Sequence, residues 1–258
     1  MISPISNSLL SVRDLTLTFG GVKAIAGLSL DVHAGEVLAL IGPNGAGKTS
    51  TLNAITRVFD ASAGEILFKG QDMTRVPRHS IASYGIARTF QNIELFDAAT
   101  VMDNLLLGQH RFGHGKWWQQ VLRTPAVTRL EEQARAEAEA VIEFLDLSPW
   151  RRSLVSSLPY GVRKVVELGR ALCTKPELLF LDEPASGLNP EETRELAFWI
   201  DDIRTDLGIT VVMVEHDMSL VSAVANRVIC MAQGSVLSEG TPEQVQSDPA
   251  VISAYLGA

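Results

Sequence analysis

Gly42-Pro43-Asn44-Gly45-Ala46-Gly47-Lys48-Thr49 follows the apolar run Val37-Leu38-Ala39-Leu40-Ile41 and leads into Ser50-Thr51-Leu52-Asn53-Ala54-Ile55, which reads as helix. Strand, glycine-rich turn and helix N-terminus in that order are the context a phosphate-binding loop requires. The spacing has a chemical reason. Glycines let the backbone curl until successive N–H groups point inward, and the helix dipole adds positive potential at the same place. Lys48 can reach β- and γ-phosphates, and the Thr49 hydroxyl can ligate Mg²⁺.

The composition is that of a globular chain: 258 residues, 46% hydrophobic and 20% charged. A net charge of -8 argues against sequence-independent nucleic-acid binding, which needs clustered Lys and Arg. Cys173 and Cys230 lie far apart in apolar runs, so reduced, buried thiols are expected rather than a disulfide or a metal site. The first residues lack the charged and apolar regions of a secretory signal, and no apolar stretch approaches the ~20 residues needed to span a bilayer. The expectation is a soluble chain, or one held at a membrane by a partner.

Working outward, Leu15, Leu17 and Phe19, then Leu28, Leu30 and Val32, alternate with polar residues and predict a small antiparallel sheet ahead of the loop strand. Phe19, at a strand end before the loop, can stack on an adenine ring or simply fill the core. From Val101 to Lys175 the pattern turns helical, with Leu130, Ala134, Ala138, Val141 and Leu145 recurring at three and four residues. His110 and His114 have a spacing that suits a metal on a helix. The flanking glycines disfavour helix, and no nearby Cys or carboxylate completes a ligand set, so no metal is expected there. Trp117-Trp118 can pack within the helical region or touch a partner. Ser156-Ser157-Leu158-Pro159-Tyr160-Gly161-Val162 opens another helix, a second possible anion site.

Leu178-Leu179-Phe180-Leu181-Asp182-Glu183 places two carboxylates after a run apolar on both faces, the mark of a central parallel strand. Asp182 would then stand beside the phosphate loop, where α/β sheets place their ligands, able to hold Mg²⁺, with Glu183 able to polarise a water. After a turn at Ala185–Pro190, a helix with Leu196, Ile200, Ile203 and Leu207 on one stripe is expected to stop at Gly208. Ile209-Thr210-Val211-Val212-Met213-Val214-Glu215-His216-Asp217 reads as another buried strand, ending in His216, and residues 227–240 as a hairpin before a short helical tail.

Together these pieces resemble the ATP-binding subunit of ATP-binding-cassette (ABC) transporters, over essentially the whole chain. Gly42–Thr49 matches the Walker A motif and Leu178–Glu183 Walker B with its following glutamate. Gln91 matches the Q-loop, His216 the switch histidine, and Ser186-Gly187-Leu188-Asn189 the D-loop. Leu158-Pro159-Tyr160-Gly161-Val162 stands in place of the Leu-Ser-Gly-Gly-Gln signature. The resemblance implies a single α/β domain over 1–258 with the P-loop NTPase ABC-ATPase fold: a mainly parallel core sheet, an antiparallel β subdomain, and a helical subdomain at about 97–175 between Q-loop and Walker B. It implies ATP and Mg²⁺ as ligands. Phe19, Gly42, Pro43, Asn44, Gly45, Ala46, Gly47, Lys48, Thr49, Ser50, Tyr160 and Gly161 would contact nucleotide. Thr49, Gln91 and Asp182 would hold the metal, and Glu183 as base, His216, Gln91 and Lys48 would act in hydrolysis.

The same resemblance implies a head-to-tail dimer with a second ATPase subunit, paralogous or identical, that moves two transmembrane permease subunits at the inner face of a bacterial plasma membrane. There are departures: Pro159 stands for the signature serine, Tyr160 and Val162 for a glycine and the glutamine, and Asn189 for the D-loop aspartate. Arg88-Thr89-Phe90-Gln91-Asn92, the Trp-containing insertion, the tyrosine-bearing signature and Ala254-Tyr255-Leu256-Gly257 are similar to the branched-chain (hydrophobic) amino acid importers, which work with a periplasmic solute-binding protein. Competing readings are a lipid or lipopolysaccharide exporter ATPase, whose relatives usually lack an insertion as long as Gly108–Thr128, and a non-transport cassette protein, usually a tandem or coiled-coil chain. A phosphate-loop kinase would leave Glu183, His216 and the signature stretch unexplained.

Overall fold

The computed structural model describes residues 8–109 and 125–256. Its strands are β1 (Ser8–Phe19), β2 (Val22–His33), β3 (Val37–Ile41), β4 (Ala63–Phe68), β5 (Gln71–Asp72), β6 (Ile86–Arg88), β7 (Leu178–Asp182), β8 (Thr210–Val214), β9 (Arg227–Ala232) and β10 (Ser235–Gly240). The α-helices are α1 (Lys48–Ile55), α2 (Val101–Gly108), α3 (Pro125–Phe144), α4 (Tyr160–Leu172), α5 (Pro190–Thr205), α6 (Met218–Val224), α7 (Pro242–Ser247) and α8 (Pro249–Leu256).

Two sheets form. The larger has the order β10-β9-β3-β8-β7-β6, parallel except for the antiparallel edge strand β10. Every residue of β3, β7 and β8 is buried, as expected of strands covered on both faces. Period-two alternation then divides two cores. Ala39, Ile41, Leu179, Leu181, Val211 and Met213 face α2–α6, while Leu38, Leu40, Leu178, Phe180, Val212 and Val214 face α1 and the smaller sheet. That smaller sheet is antiparallel, in the order β2-β1-β4-β5.

Register positions the chemistry. Leu40 of β3 pairs with Val214 of β8, and Val214 pairs with Asp182 of β7. The loops starting at Gly42, Glu183 and Glu215 therefore leave the sheet side by side at one carboxyl edge, the position where open α/β sheets bind ligands.

Two helical expectations change. The helix opened by Pro190 ends at Thr205, because Leu207 N–H turns back to the Asp202 carbonyl and Ile209 N–H to that of Ile203. Leu207 consequently leaves the apolar stripe and is half exposed. Leu130 is likewise exposed, and α3 buries its C-terminal half through Ala138 and Ile142. His110, His114, Trp117 and Trp118 lie outside the described residues.

Candidate nucleotide site

The phosphate loop is held from three sides. Gly42 has φ 142°, and a Cβ there would sit 2.2 Å from the Met231 carbonyl oxygen, so β9 leaves room only for glycine. Gly47, at φ 98°, carries the same restriction against the Ala24 carbonyl of β2, at 2.5 Å. The turn between β9 and β10 closes the third side: Gly234 N–H donates to the Ala46 carbonyl and Ala26 N–H to that of Gly234. Lys48, only 9% exposed, donates from Nζ to the carbonyls of Gly42 (2.7 Å) and Pro43 (3.1 Å). Burial lowers its ammonium below the ordinary lysine range, opposed by the carboxylates of Glu183 and Asp182. Asn44 and Gly45 are exposed at the tip, Ala46 is buried, and Ser50 lies half-buried in the first turn of α1.

Phe19 ends β1 opposite Val22, two residues from the Ala24 carbonyl that abuts Gly47, so the tip of this hairpin stands at the loop. Its ring is 45% exposed and meets Phe59 edge-on, with centroids 5.0 Å apart. A ring fixed at one edge and open on a face can stack on a planar base.

The carboxylates stand opposite. Thr49 Oγ1 lies 3.5 Å from Asp182 Oδ1, a pair of hard oxygen donors that fits Mg²⁺. Among the described residues no group of three or more His, Cys, Asp or Glu could hold a metal alone, so such a cation needs phosphate oxygens to complete its shell. The other Asp182 oxygen accepts from Arg88 Nη2 at 2.7 Å, both side chains being buried. Glu183 sits at φ 48°, a left-handed backbone unusual for a non-glycine residue, with its N–H tied to the Val214 carbonyl. Gln91 Nε2 donates to Glu183 Oε2 at 2.9 Å, and His216 Nδ1 lies 4.0 Å from that same oxygen. Glu183, Gln91 and His216 thus converge, with Gln91 and His216 exposed and Glu183 more enclosed.

Glu215, 1% exposed, is a residue the sequence reading passed over. Its Oε1 accepts from Ala185 N–H (2.8 Å), and its Oε2 from His216 N–H (2.8 Å) and Asp217 N–H (3.0 Å). One carboxylate therefore ties the loop after Glu183 to the loop carrying His216. Asp217 caps α6, and its bond from Ser219 holds its carboxyl below the ordinary range.

Two further groups link α4 to the carboxyl edge of the sheet. Lys164 Nζ donates to the Glu183 carbonyl at 3.3 Å, and burial lowers its ammonium against the pull of Glu167, Glu215, Glu183 and Asp182. Glu167 accepts from Phe90 N–H at 3.3 Å, and burial raises its carboxyl. A charged residue facing inward from an amphipathic helix was the available signal for both. Tyr160 and Gly161 do not approach this chain's own phosphate loop. Tyr160 lies on its D-loop, with Oη 3.4 Å from the Ser186 carbonyl and a ring carbon 2.8 Å from where a Gly187 Cβ would be. Gly161 is buried against Glu192. Asn189 caps α5, its Oδ1 accepting from the N–H groups of Glu191 and Glu192, so asparagine does here the capping work open to aspartate.

Comparison with known proteins agrees with this arrangement. The family model described as ABC transporter matches residues 25–186, and that described as Branched-chain amino acid ATP-binding cassette transporter matches residues 235–258. The chain is 40% identical over 252 residues to the high-affinity branched-chain amino acid transport ATP-binding protein BraF of Pseudomonas aeruginosa, covering 98% of this chain and 99% of that one. Identity and coverage are the same against LivG of Escherichia coli, a protein of the same description. A crystal structure of a nucleotide-free ATP-binding cassette from an ABC transporter superposes with TM-score 0.85 at 31% identity, covering 97% of this chain and 100% of that one. With the fold, the loop and the C-terminal segment all in agreement, the chain belongs to the ABC transporter family, as an ATP-binding cassette of its branched-chain amino acid group.

Proposed function

We propose that this chain is the ATP-hydrolysing subunit of a bacterial importer for branched-chain or other hydrophobic amino acids. The observation that carries the reading is the alignment of Lys48–Thr49, Asp182–Glu183 and His216 on one sheet edge, in a chain 40% identical to branched-chain amino acid transport ATP-binding proteins. The N–H groups of the loop from Gly45 to Thr49 cradle the phosphates, and Lys48 exchanges its carbonyl partners for β- and γ-phosphate oxygens. Glu183, steadied by Gln91, accepts the proton of a water that attacks the γ-phosphorus as the β–γ bridging oxygen leaves. His216 donates to the γ-phosphate, and Phe19 stacks on the adenine. Mg²⁺, held by Thr49 and Asp182 with Gln91 at hand, would neutralise charge developing on the phosphates.

The partners follow from the same reading. A second ATPase subunit, paralogous or identical, would pair head to tail, so that each ATP meets the α4 N-terminus of the other subunit. Pro159 brings no N–H, and those of Tyr160 and Gly161 remain to meet phosphate. Closure on ATP and reopening after hydrolysis would move two transmembrane permease subunits fed by a periplasmic solute-binding protein, with residues 97–175 as the helical subdomain that follows them. No helix among the described residues is long and apolar enough to cross a membrane, so attachment to the cytoplasmic face would run through those permeases.

The test is to express tagged Glu183→Gln in the source cell and solubilise membranes gently with ATP present. Two polytopic subunits and a second, related ATPase are expected to co-purify with ATP trapped in the dimer. Recovery with ribosomal components or lipid-export proteins would overturn the importer reading. Undiminished hydrolysis by Glu183→Gln would remove that residue from the role of base.

A further inference from the structure

Arg88 ends the edge strand β6, in register with Phe180 of β7 and two residues short of Asp182. Its side chain is 7% exposed and fastened at several points. Nη2 donates to Asp182 Oδ2 at 2.7 Å, and Nη1 donates to Asn53 Oδ1 (2.6 Å) and Thr56 Oγ1 (3.1 Å) on α1. The guanidinium carbon lies 5.0 Å from the centroid of the Phe90 ring, next to Gln91. Nε is buried without a hydrogen-bond partner.

The bonds to Asn53 and Thr56 set this pair apart from the ordinary arginine–carboxylate fork. A bidentate pair would use two guanidinium nitrogens and both carboxylate oxygens. Here Asn53 and Thr56 hold the guanidinium turned, one N–H goes unsatisfied, and only Oδ2 of Asp182 is taken. The other oxygen, Oδ1, is left facing Thr49 Oγ1 at 3.5 Å.

We infer that Arg88 is a positioning residue for the cation that accompanies ATP: it occupies Asp182 Oδ2, offsets the buried carboxylate charge, and presents Oδ1 beside Thr49. This rests on the reading that Thr49 and Asp182 hold Mg²⁺ with the nucleotide. Because Arg88 is anchored to α1 and stacked on Phe90, the orientation of Asp182 is tied to the helix that opens with Lys48 and to the segment that carries Gln91. A lysine keeps the charge but has one nitrogen, which cannot serve Asp182, Asn53 and Thr56 in fixed directions.

The test is the gain in ATP affinity that Mg²⁺ confers, measured by calorimetry on the full chain in excess Mg²⁺ and in EDTA. Residues that orient a metal ligand contribute about 10–100-fold to metal affinity, so Arg88→Met is expected to lower the Mg²⁺-dependent gain by about tenfold or more. Its affinity in EDTA should stay near that of the wild type, since Arg88 touches no phosphate-loop residue. Arg88→Lys and Asn53→Ala, which spare the buried charge pair, should show intermediate gains and serve if Arg88→Met does not fold. Equal losses in Mg²⁺ and in EDTA, or a wild-type gain in all three variants, would overturn the inference. Asp182→Asn separates the two layers. If it abolishes the gain while the Arg88 variants keep it, only the role of Arg88 falls; if it leaves the gain intact, the metal reading fails and takes this inference with it.

Discussion

Replacing Glu215 should reveal how much of the candidate site hangs on one side chain. Its two oxygens accept three backbone N–H bonds of 2.8, 2.8 and 3.0 Å, at a position 1% exposed. Hydrogen bonds to a charged group contribute about 1.5–3 kcal/mol each, and a buried donor left unpaired costs about 1–3 kcal/mol. Glu215→Ala strips all three donors, although those of His216 and Asp217 can turn toward water at the open side of the loop. Counting Ala185 N–H in full and the other two in part, the loss is about 3–4 kcal/mol. At about 2–4 °C per kcal/mol for a domain of this size, the melting temperature should fall by roughly 6–16 °C. Glu215→Gln keeps one acceptor oxygen and turns the other into a donor facing a donor, so it should lose roughly half as much. Thermal unfolding and urea titration followed by circular dichroism measure both. ATP hydrolysis in the folded Glu215→Gln chain adds the functional half: kcat should drop while KM for ATP changes little, because the loops of Glu183 and His216 lose register and the phosphate loop does not. A Glu215→Ala chain within 1 °C of the wild type, or a KM that rises with kcat unchanged, would refute the reasoning.

Other outcomes follow from the same geometry. Gly161→Asp should abolish ATP-driven dimerisation in a Glu183→Gln background, read by size exclusion, because its Cβ would lie 2.3 Å from Glu192 Oε1 and bring a second carboxylate to the α4 N-terminus. Unchanged dimerisation would take Gly161 out of the interface. Glu167 has its native carboxyl raised by burial, so the folded state keeps that proton longer than the unfolded chain and stability falls as pH rises through that interval. Glu167→Gln, which retains an acceptor for Phe90 N–H, should gain on the wild type in urea midpoint as pH rises above the ordinary glutamate range; a constant difference would contradict this. Cys173, with its thiol pushed up to about 12 by burial, should resist iodoacetamide in the folded chain and react in urea; rapid native labelling would mean this face of the core opens.

Much of the candidate site was legible because its parts are contiguous in sequence. The loop from Gly42 to Thr49 brings its own strand and helix, and the run before Asp182 announces a central strand. The four apolar residues there, and the burial of all of β7, are the same fact read twice. What escaped depends on which strands become neighbours. Arg88 stood in a quoted motif without a role, since its pairing with Asp182 requires β6 to lie beside β7, 94 positions on. Glu215 was counted within the buried strand and given no role; only the adjacency of β7 and β8 brings Ala185 within its reach. Leu207 was misplaced for a local reason, the early turn at Thr205, where hydrogen bonds reaching back five and six residues replaced the helical ladder. Periodicity marks which face of a helix is apolar, and says less about where the ladder stops.

The backbone at Glu183 has a consequence for how this protein can change. Left-handed conformation at a residue that carries a Cβ costs about 1 kcal/mol or more, and glycine or asparagine would relieve it. Selection for heat resistance alone, without a demand for nucleotide turnover, should therefore enrich Gly or Asn at position 183. The strained turn bends the chain so that the carboxylate points back toward Gln91 and His216 rather than along the strand. If Glu183 readies water for attack as proposed, the same residue is also one of the cheapest places to make the fold more durable, and durability gained there would silence it.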